Sequence, residues 1–508
     1  MKVEKSAKFL GVVFDQQLTW NNHINHVVSK CNKRLNLMRA VSGTSWGATH
    51  RALIAIYRAL IRSVLDYGAA AYDSASASQL RKIDSIQYSA LRLCCGAMKG
   101  SAASALQVEC GEMPLHLRRL QQQIKFAVKV KATPNHVAKS IFDDHWTTHY
   151  GIFGTNNRPM AMKVAHFFEE LDNTDVKAPT LANTPPWIVD APKTDITLSL
   201  EVSKQESPDI LLALARGKID QQYGDWIHIY TDASKTTSGQ VGIGCYIQPT
   251  TTSSGTEESA RLSDGVTIQT GEMTAIKRAL ELIRQLEQTT TSRKFAIFTD
   301  SLSSIATFSS GRARSRPNLH ADLMDLSHSI NSQVTLVWVP SHIGIRGNET
   351  ADRLAKTATD NQSITYDIGF ELQEAYRRVD AYIKKRWQEE WNAGKTGRHF
   401  HSIQPDVQEK QQRHFSSRSA EVLAHRLRLG RCLLNSYLYQ MGKHDTGNCS
   451  LCGSPETIRH FVMECPANRI SASLRKMCHD RGMQFDLQTL LSNPSIAIQI
   501  HRLTDRRL

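Results

Sequence analysis

The order of hydrophobic periodicities predicts an α/β protein: a mixed five-stranded sheet with flanking helices, set between two mainly helical regions. Three observations carry this. Between Asp225 and Trp338 the apolar pattern switches repeatedly from period two to period 3.6. Two runs in that stretch, Ile-Tyr-Thr-Asp232 and Ile-Phe-Thr-Asp300, share one pattern, as neighbouring strands of one sheet would. Before about Val130 and after about Phe370 the periodicity is helical.

The chain has 508 residues, more than one domain needs. The composition divides it into a helical region over 1–150, a linker over 151–222 marked by Pro179, Pro185, Pro186 and Pro192, a sheet domain over 223–362, and a basic helical region over 363–508. Its 62 Lys and Arg against 48 Asp and Glu give a net charge of +14, which favours a polyanionic partner such as nucleic acid. No run of 18 apolar residues occurs, so no membrane span or membrane partner is expected. The N-terminus, Met1-Lys-Val-Glu-Lys-Ser-Ala-Lys, has no signal-peptide shape, and the ten cysteines are scattered apart from one cluster. Both point to a reducing compartment, nucleus or cytoplasm.

Taken in order, residues 8–14 read as a strand with no partner before it, like the edge of a truncated domain. Helices follow. Leu53, Ile56, Tyr57, Leu60, Ile61 and Val64 form one stripe, and Leu80, Ile83, Ile86, Ala90, Leu91 and Leu93 another. Arg58 and Arg62 are among the basic residues between them, read as a solvated face or a nucleic-acid-facing surface. In the sheet domain, strands are predicted over 226–232, 240–247 and 261–269, the last with a possible turn at Asp264-Gly265. A helix carrying Met273, Ile276, Ala279, Leu280 and Ile283 comes next, with Glu272 in its first turn, then a strand over 294–300. Two short helices lead to a strand ending at Trp338. A loop with Gly344 and Gly347 then leads to a helix expected to start near Asn348, a good N-cap, with Asp352 in its first turn.

Asp232 and Asp300 each end a predicted strand. If these strands pair in parallel, both carboxylates emerge at one end of the sheet. Glu272 and Asp352 enter from two helices. Four converging carboxylates repel one another unless cations lie between them, and oxygen-only ligands suit Mg²⁺ or Mn²⁺ rather than zinc. Two such ions roughly 4 Å apart would clamp the attacking water and the leaving oxygen of a phosphodiester. His342, on the loop, fits a proton shuttle or an aid to product release.

The segments Tyr-Thr-Asp232-Ala-Ser, Gly-Glu272-Met-Thr-Ala, Phe-Thr-Asp300-Ser and Ser-His342 with Gly-Asn-Glu-Thr-Ala-Asp352-Arg-Leu-Ala closely resemble type 1 ribonuclease H over about residues 224–360. The resemblance implies hydrolysis of the RNA strand of RNA–DNA hybrids. It makes Asp232, Glu272, Asp300 and Asp352 metal ligands, His342 an auxiliary residue and Asn348 a substrate contact. The long basic helical protrusion of some family members is not evident. Arg312, Arg314 and Arg316 either take its place against substrate or are solvated.

The segments Phe9-Leu-Gly-Val-Val-Phe-Asp, Ala55-Ile-Tyr57, Leu65-Asp-Tyr-Gly68, Ala90-Leu-Arg92 and Glu112-Met-Pro114-Leu resemble the region after the polymerase palm in non-LTR retrotransposon reverse transcriptases. No Tyr-x-Asp-Asp tetrapeptide occurs, so polymerase activity is not expected. Near the other end, Cys449-x₂-Cys452-x₇-His460-x₄-Cys465 has the ligand number and spacing of a structural zinc site. It resembles the Cys-Cys-His-Cys motif that ends many jockey-like elements. The adjoining helix, with Arg426, Arg428 and Arg431, reads as a basic face or a solvated one. The whole is thus expected to be an RNA–DNA hybrid endonuclease or, alternatively, a catalytically silent nucleic-acid-binding remnant of a retrotransposon.

Overall fold

The computed structural model describes residues 4–143, 159–170, 176–177, 192–201, 206–250, 255–288, 294–310, 316–407, 415 and 417–503. The chain forms two compact units. One comprises Ala127–Phe142 and Phe168–Arg378; the other comprises Met1–Phe126, Asp143–Phe167 and Val379–Leu508. Among the described residues no helix is long and apolar enough to cross a membrane.

The first unit is a mixed sheet flanked by helices. Its elements are β1 (Lys193–Asp195), α1 (Pro208–Tyr223), β2 (Ile227–Lys235), β3 (Val241–Ile247), β4 (Thr256–Leu262), α2 (Ile268–Leu286), β5 (Lys294–Thr299), α3 (Leu302–Ser309), α4 (Pro317–His328), β6 (Gln333–Trp338), α5 (Arg346–Thr359) and the first turns of α6 (Leu372–Ala393). The strand order is β1-β6-β5-β2-β3-β4. β1, β6, β5 and β2 pair in parallel; β2 with β3 and β3 with β4 are antiparallel.

The sheet has six strands where the periodicity predicts five. The additional strand, β1, lies in the stretch read as a linker. Its three residues, Lys-Thr-Asp, are too few and too polar to show a pattern. They are held by pairing with β6 and by Asp195, which accepts hydrogen bonds from Lys218 Nζ at 2.6 Å and Tyr223 Oη at 2.7 Å. α1 is in the same stretch. Ser207 caps it, Pro208 occupies its first turn, and Leu211, Ala215, Ile219 and Tyr223 enter the core of the sheet.

Two further boundaries differ from the pattern. β2 continues past Asp232 to Lys235, so Asp232 lies within a strand, opposite Gly244 of β3. β4 begins at Thr256, earlier than expected. It is an edge strand, mostly exposed over Thr-Glu-Glu-Ser, and carries little apolar alternation. The turn at Asp264-Gly265 is present, with Gly265 at φ +82°, but it leads into α2 instead of interrupting a strand.

Gly242 and Gly244 let α5 lie directly on the sheet. A Cβ on Gly242 would collide with the Ala355 carbonyl, and one on Gly244 with the Ala351 carbonyl. The alternate β3 residues Val241 and Ile243 lie against Gly271 of α2, so the two helices flank β3 on opposite faces. Ala351, Leu354, Ala355 and Ala358 bury the α5 stripe.

The second unit is mainly helical. Residues 8–14 are not a lone strand: Ser6–Phe9 and Val12–Asp15 form a hairpin through Leu10 and Gly11, both at positive φ. The strand thus finds its partner in its own hairpin. Helix Asn21–Val41 and helix Ala77–Cys95 pack together. Arg58 and Arg62, both partly exposed, are paired with buried Glu112, at 2.5 and 3.0 Å. In helix Arg418–Arg428 the expected basic face is also partly interior. Arg428 is 1% exposed and paired with Glu109, and Arg426 donates to the Gly96 carbonyl at 2.9 Å.

Candidate active site and metal-ligating clusters

β2 and β5 pair in parallel with Tyr230 opposite Phe298. Two residues further on, the same offset aligns Asp232 with Asp300. Asp300 follows the last residue of β5, and Trp338 Nε1 holds its carbonyl at 3.0 Å. α2 begins at Ile268, capped by Thr267, so Glu272 is a turn further into the helix than the sequence predicts. One ligating oxygen each from Asp232, Glu272 and Asp300 lies within 4.8 Å of the others. Asp232 and Glu272 are buried, and Glu272 Oε2 has no hydrogen-bond partner among the described residues.

Burial together with the neighbouring charges sets the electrostatics. Burial, with the Asp300 and Asp352 carboxylates, pushes the Asp232 carboxyl up to about 8. Burial and the Asp232 and Asp300 charges push Glu272 up as well. Asp300 is raised by burial and by Asp352, while the His342 imidazole pulls it down. A cluster of acids this costly to ionise is suited to divalent cations with oxygen ligands, and the orphaned Glu272 oxygen fits one.

Asp352 joins from α5. That helix starts at Arg346 rather than at Asn348, and Ile345 stands at its N-cap, so Asp352 lies in the second turn. The chain is already helical at Gly347, where a Cβ would run into the Tyr230 ring. Asn348 is therefore not a cap. It is 3% exposed inside the helix, which leaves it no surface for the predicted substrate contact. Asp352 Oδ2 accepts from Lys356 Nζ at 2.6 Å. His342 sits on the exposed loop at φ +54°, and its ring, Glu349 and Asp352 offer ligand atoms within 4.8 Å of one another.

Glu349 and Lys356 were not singled out from the sequence. Their spacing from Asp352, three residues before and four after, places them on the same helix face and was the available signal. Glu349 also accepts from the Gly344 amide at 3.3 Å, which ties the His342 loop to α5.

Of the three arginines proposed as substrate contacts, Arg312 and Arg314 lie outside the described residues. Arg316 is an interior residue, 2% exposed. Its guanidinium pairs with Glu374 and donates to the Gly369 carbonyl at 3.1 Å. Glu374 accepts in turn from Thr270 Oγ1 at 3.1 Å, two residues before Glu272. Arg316 thus braces the start of α2 and does not face substrate, because its charge is consumed by a buried carboxylate.

In the helical unit, Cys449, Cys452, His460 and Cys465 bring their ligand atoms within 4.8 Å of one another. Sγ of Cys465 lies 3.9 Å from that of Cys449 and 3.8 Å from that of Cys452; Cys452 Sγ is 3.2 Å from His460 Nε2. Two thiolates at tetrahedral angles on one zinc are about 3.8 Å apart, given Zn–S bonds of about 2.3 Å. Local turns build this arrangement. Gly453 N donates to the Cys449 carbonyl at 2.9 Å and Cys465 N to the His460 carbonyl at 2.9 Å, while Gly447 and Gly453 take positive φ. The Ser454 amide holds the Cys452 thiol below its ordinary range.

No curated protein matches the chain. RNase H1 from the halophilic archaeon Halobacterium salinarum NRC-1 is similar in structure over 26% of this chain and 97% of its own, at 19% identity and a TM-score of 0.22. Residues 225–360 match the family model of RNase H, and all four clustered carboxylates and His342 fall inside that segment.

Proposed function

We propose that this protein hydrolyses the RNA strand of RNA–DNA hybrids at the Asp232, Glu272, Asp300 and Asp352 carboxylates. The observation that carries the reading is the convergence of these buried or half-buried acids within a segment that matches RNase H. Two divalent ions, Mg²⁺ or Mn²⁺, would supply the charge that offsets the carboxylates and polarises the scissile phosphate. Asp232 and Asp300, side by side at one sheet end, would hold ions between them. Glu272 adds its unpaired oxygen, and Asp352 closes the cluster from α5. His342, exposed on its loop and next to Asp300 and Asp352, would carry a proton between solvent and the leaving group. Lys356 holds Asp352 and would be displaced from it by a bound ion.

In the same reading residues 1–150 are the region that follows the polymerase palm of a jockey-like retrotransposon reverse transcriptase, with no polymerase activity. The Cys449, Cys452, His460 and Cys465 cluster holds a structural zinc ion, and the protein acts in the nucleus or cytoplasm. The sulfur separations near 3.8 Å support the zinc assignment.

The test is incubation of the full chain with labelled RNA–DNA hybrid in Mg²⁺, beside Asp300→Asn and with single-stranded RNA, duplex RNA and duplex DNA as controls. Cleavage of hybridised RNA alone is expected, reduced in the variant by about 10³-fold, equivalent to about 4 kcal/mol, with hybrid binding retained. Hybrid bound without cleavage in either Mg²⁺ or Mn²⁺ would leave a nucleic-acid-binding protein and no nuclease.

A further inference from the structure

The helical unit contains a second group of soft ligands, far in sequence from the Cys449 cluster. Cys95 is the last residue of helix Ala77–Cys95 and Cys110 the last of helix Ala103–Cys110. His50 opens helix His50–Ile56. The ligand atoms of His50, Cys95 and Cys110 lie within 4.8 Å of one another, with the two sulfurs 3.4 Å apart. The His425 ring, from helix Arg418–Arg428, lies 4.6 Å from the His50 ring, centre to centre. Cys95 is fully buried, and His425 and Cys110 are 4% and 6% exposed.

We propose that His50, Cys95, Cys110 and His425 form a structural Cys₂His₂ zinc site. Three features of the surroundings support it, and none depends on the nuclease reading.

The first is the state of the imidazoles. His425 Nδ1 lies 2.7 Å from Glu109 Oε1, and Glu109 also accepts from Arg428 Nε at 3.0 Å. With Nδ1 donating to this carboxylate, Nε2 presents a lone pair, yet among the described residues it has no hydrogen-bond partner. A buried nitrogen left this way costs about 1–3 kcal/mol unless something binds it. His50 repeats the arrangement: its Nδ1 lies 3.4 Å from the Cys94 carbonyl, which leaves Nε2 for a ligand role. A metal-bound histidine commonly donates its other ring N–H to a carboxylate or a backbone carbonyl, and one of each is present.

The second is distance. The 3.4 Å between Cys95 and Cys110 is a few tenths of an ångström short of the tetrahedral edge of about 3.8 Å and far beyond a disulfide bond of about 2.05 Å. The other polar contact of Cys110, 3.9 Å from the Leu91 carbonyl, is too long to satisfy a thiol strongly.

The third is charge. Both cysteines stand at helix C-termini, where the backbone dipole favours a cation. Each helix ends in a glycine at positive φ, Gly96 and Gly111. The buried acids nearby are already matched, Glu109 by Arg428 and Glu421 by Arg418 at 2.7 Å. Two thiolates with one divalent ion add no net charge. Two nitrogen and two sulfur donors in a tetrahedral arrangement select zinc over magnesium or calcium.

The experiment is metal analysis of the full chain, freed of loosely bound metal on a chelating resin and supplied with zinc alone. Two zinc ions per chain are expected, and Cys449→Ser/Cys452→Ser is expected to retain one. Cys95→Ser/Cys110→Ser is expected to halve the zinc content of the wild type. Because either pair of substitutions can impair folding, zinc-edge X-ray absorption of the unaltered chain provides an independent reading. Five sulfur ligands shared by two zinc ions support the proposal. One zinc per chain with three sulfurs overturns it, as does a Cys95–Cys110 disulfide found by peptide mapping.

Discussion

The carboxylate cluster of the sheet unit and the Cys449 cluster of the helical unit both gather four ligands, but they are built in opposite ways. Asp232, Glu272, Asp300 and Asp352 come from β2, α2, the end of β5 and α5. Only the finished fold brings them together, and it does so against their mutual repulsion. Cys449, Cys452, His460 and Cys465 come from one loop and the helical turn that follows it, positioned by short-range hydrogen bonds. Leu451, within that loop, is 60% exposed. In the first case the fold creates the site and would be relieved by an ion. In the second the ion would create the local fold.

Four outcomes would break or sharpen this contrast. The largest belongs to the thiolates. Cys449→Ser, or zinc removal, is expected to withdraw metal-derived folding free energy on the order of 10 kcal/mol from residues 447–465. Hydrogen exchange would show that stretch losing protection while β2, β5 and α5 keep theirs.

The converse holds for the acids. In metal-free solution at neutral pH, Asp232→Asn is expected to stabilise the sheet unit by about 3 kcal/mol in urea unfolding, and under the proposed function to abolish cleavage. The sign follows from linkage. The native Asp232 carboxyl, raised from 3.8 to about 8, keeps a proton that the unfolded chain has released. Metal-free stability therefore falls as pH rises from about 4 to about 8, and Mg²⁺ should flatten the decline.

A smaller effect is expected from Gly244→Ala. The added methyl has to push α5 off β3 at the Ala351 carbonyl, at a cost of about 2 kcal/mol by thermal unfolding. Weakened Mg²⁺ dependence of cleavage would accompany it, since α5 carries Asp352.

The smallest is Asp195→Asn, at about 1–2 kcal/mol. Burial opposes ionisation of Asp195, but the Lys218, Thr197 and Tyr223 hydrogen bonds win and hold its carboxyl down at about 2. Its contribution is complete above about pH 4 and is lost as pH falls towards about 2. Acid titration of the variant should lack that loss.

The elements that form the active cluster were readable because they are buried. Phe295 to Phe298 and Leu336 to Trp338 are core strands, and their apolar runs cannot be mistaken. What escaped reading was the polar periphery. Thr256–Leu262 is an edge strand with charged residues facing water, and Lys193–Asp195 is held by main-chain pairing and polar side-chain contacts. The candidate acidic ligands were legible because each follows an apolar strand run or sits on a helix face. Of the misjudged residues, Arg316 and Arg428 are polar side chains taken inside by partners distant in sequence, Glu374 for Arg316 and Glu109 for Arg428, while Asn348 is buried by its place in α5. No local pattern reports such pairing. The same holds for His425, whose ring lies against that of His50 from another helix.

β1 and α1 carry a practical meaning for anyone dissecting this protein. They precede residue 225, where the family match begins. A fragment started there would strip one of the two main-chain partners from Gln333–Trp338 and leave Val-Thr-Leu-Val-Trp as an open sheet edge. That segment is apolar, β-branched and uncharged, the composition from which strand-to-strand aggregates grow. It would also uncover the core surface under Leu211, Ala215 and Ile219. The unit of inheritance and the unit of solubility therefore have different starting points, and a fragment intended to stay dispersed should begin before Lys193.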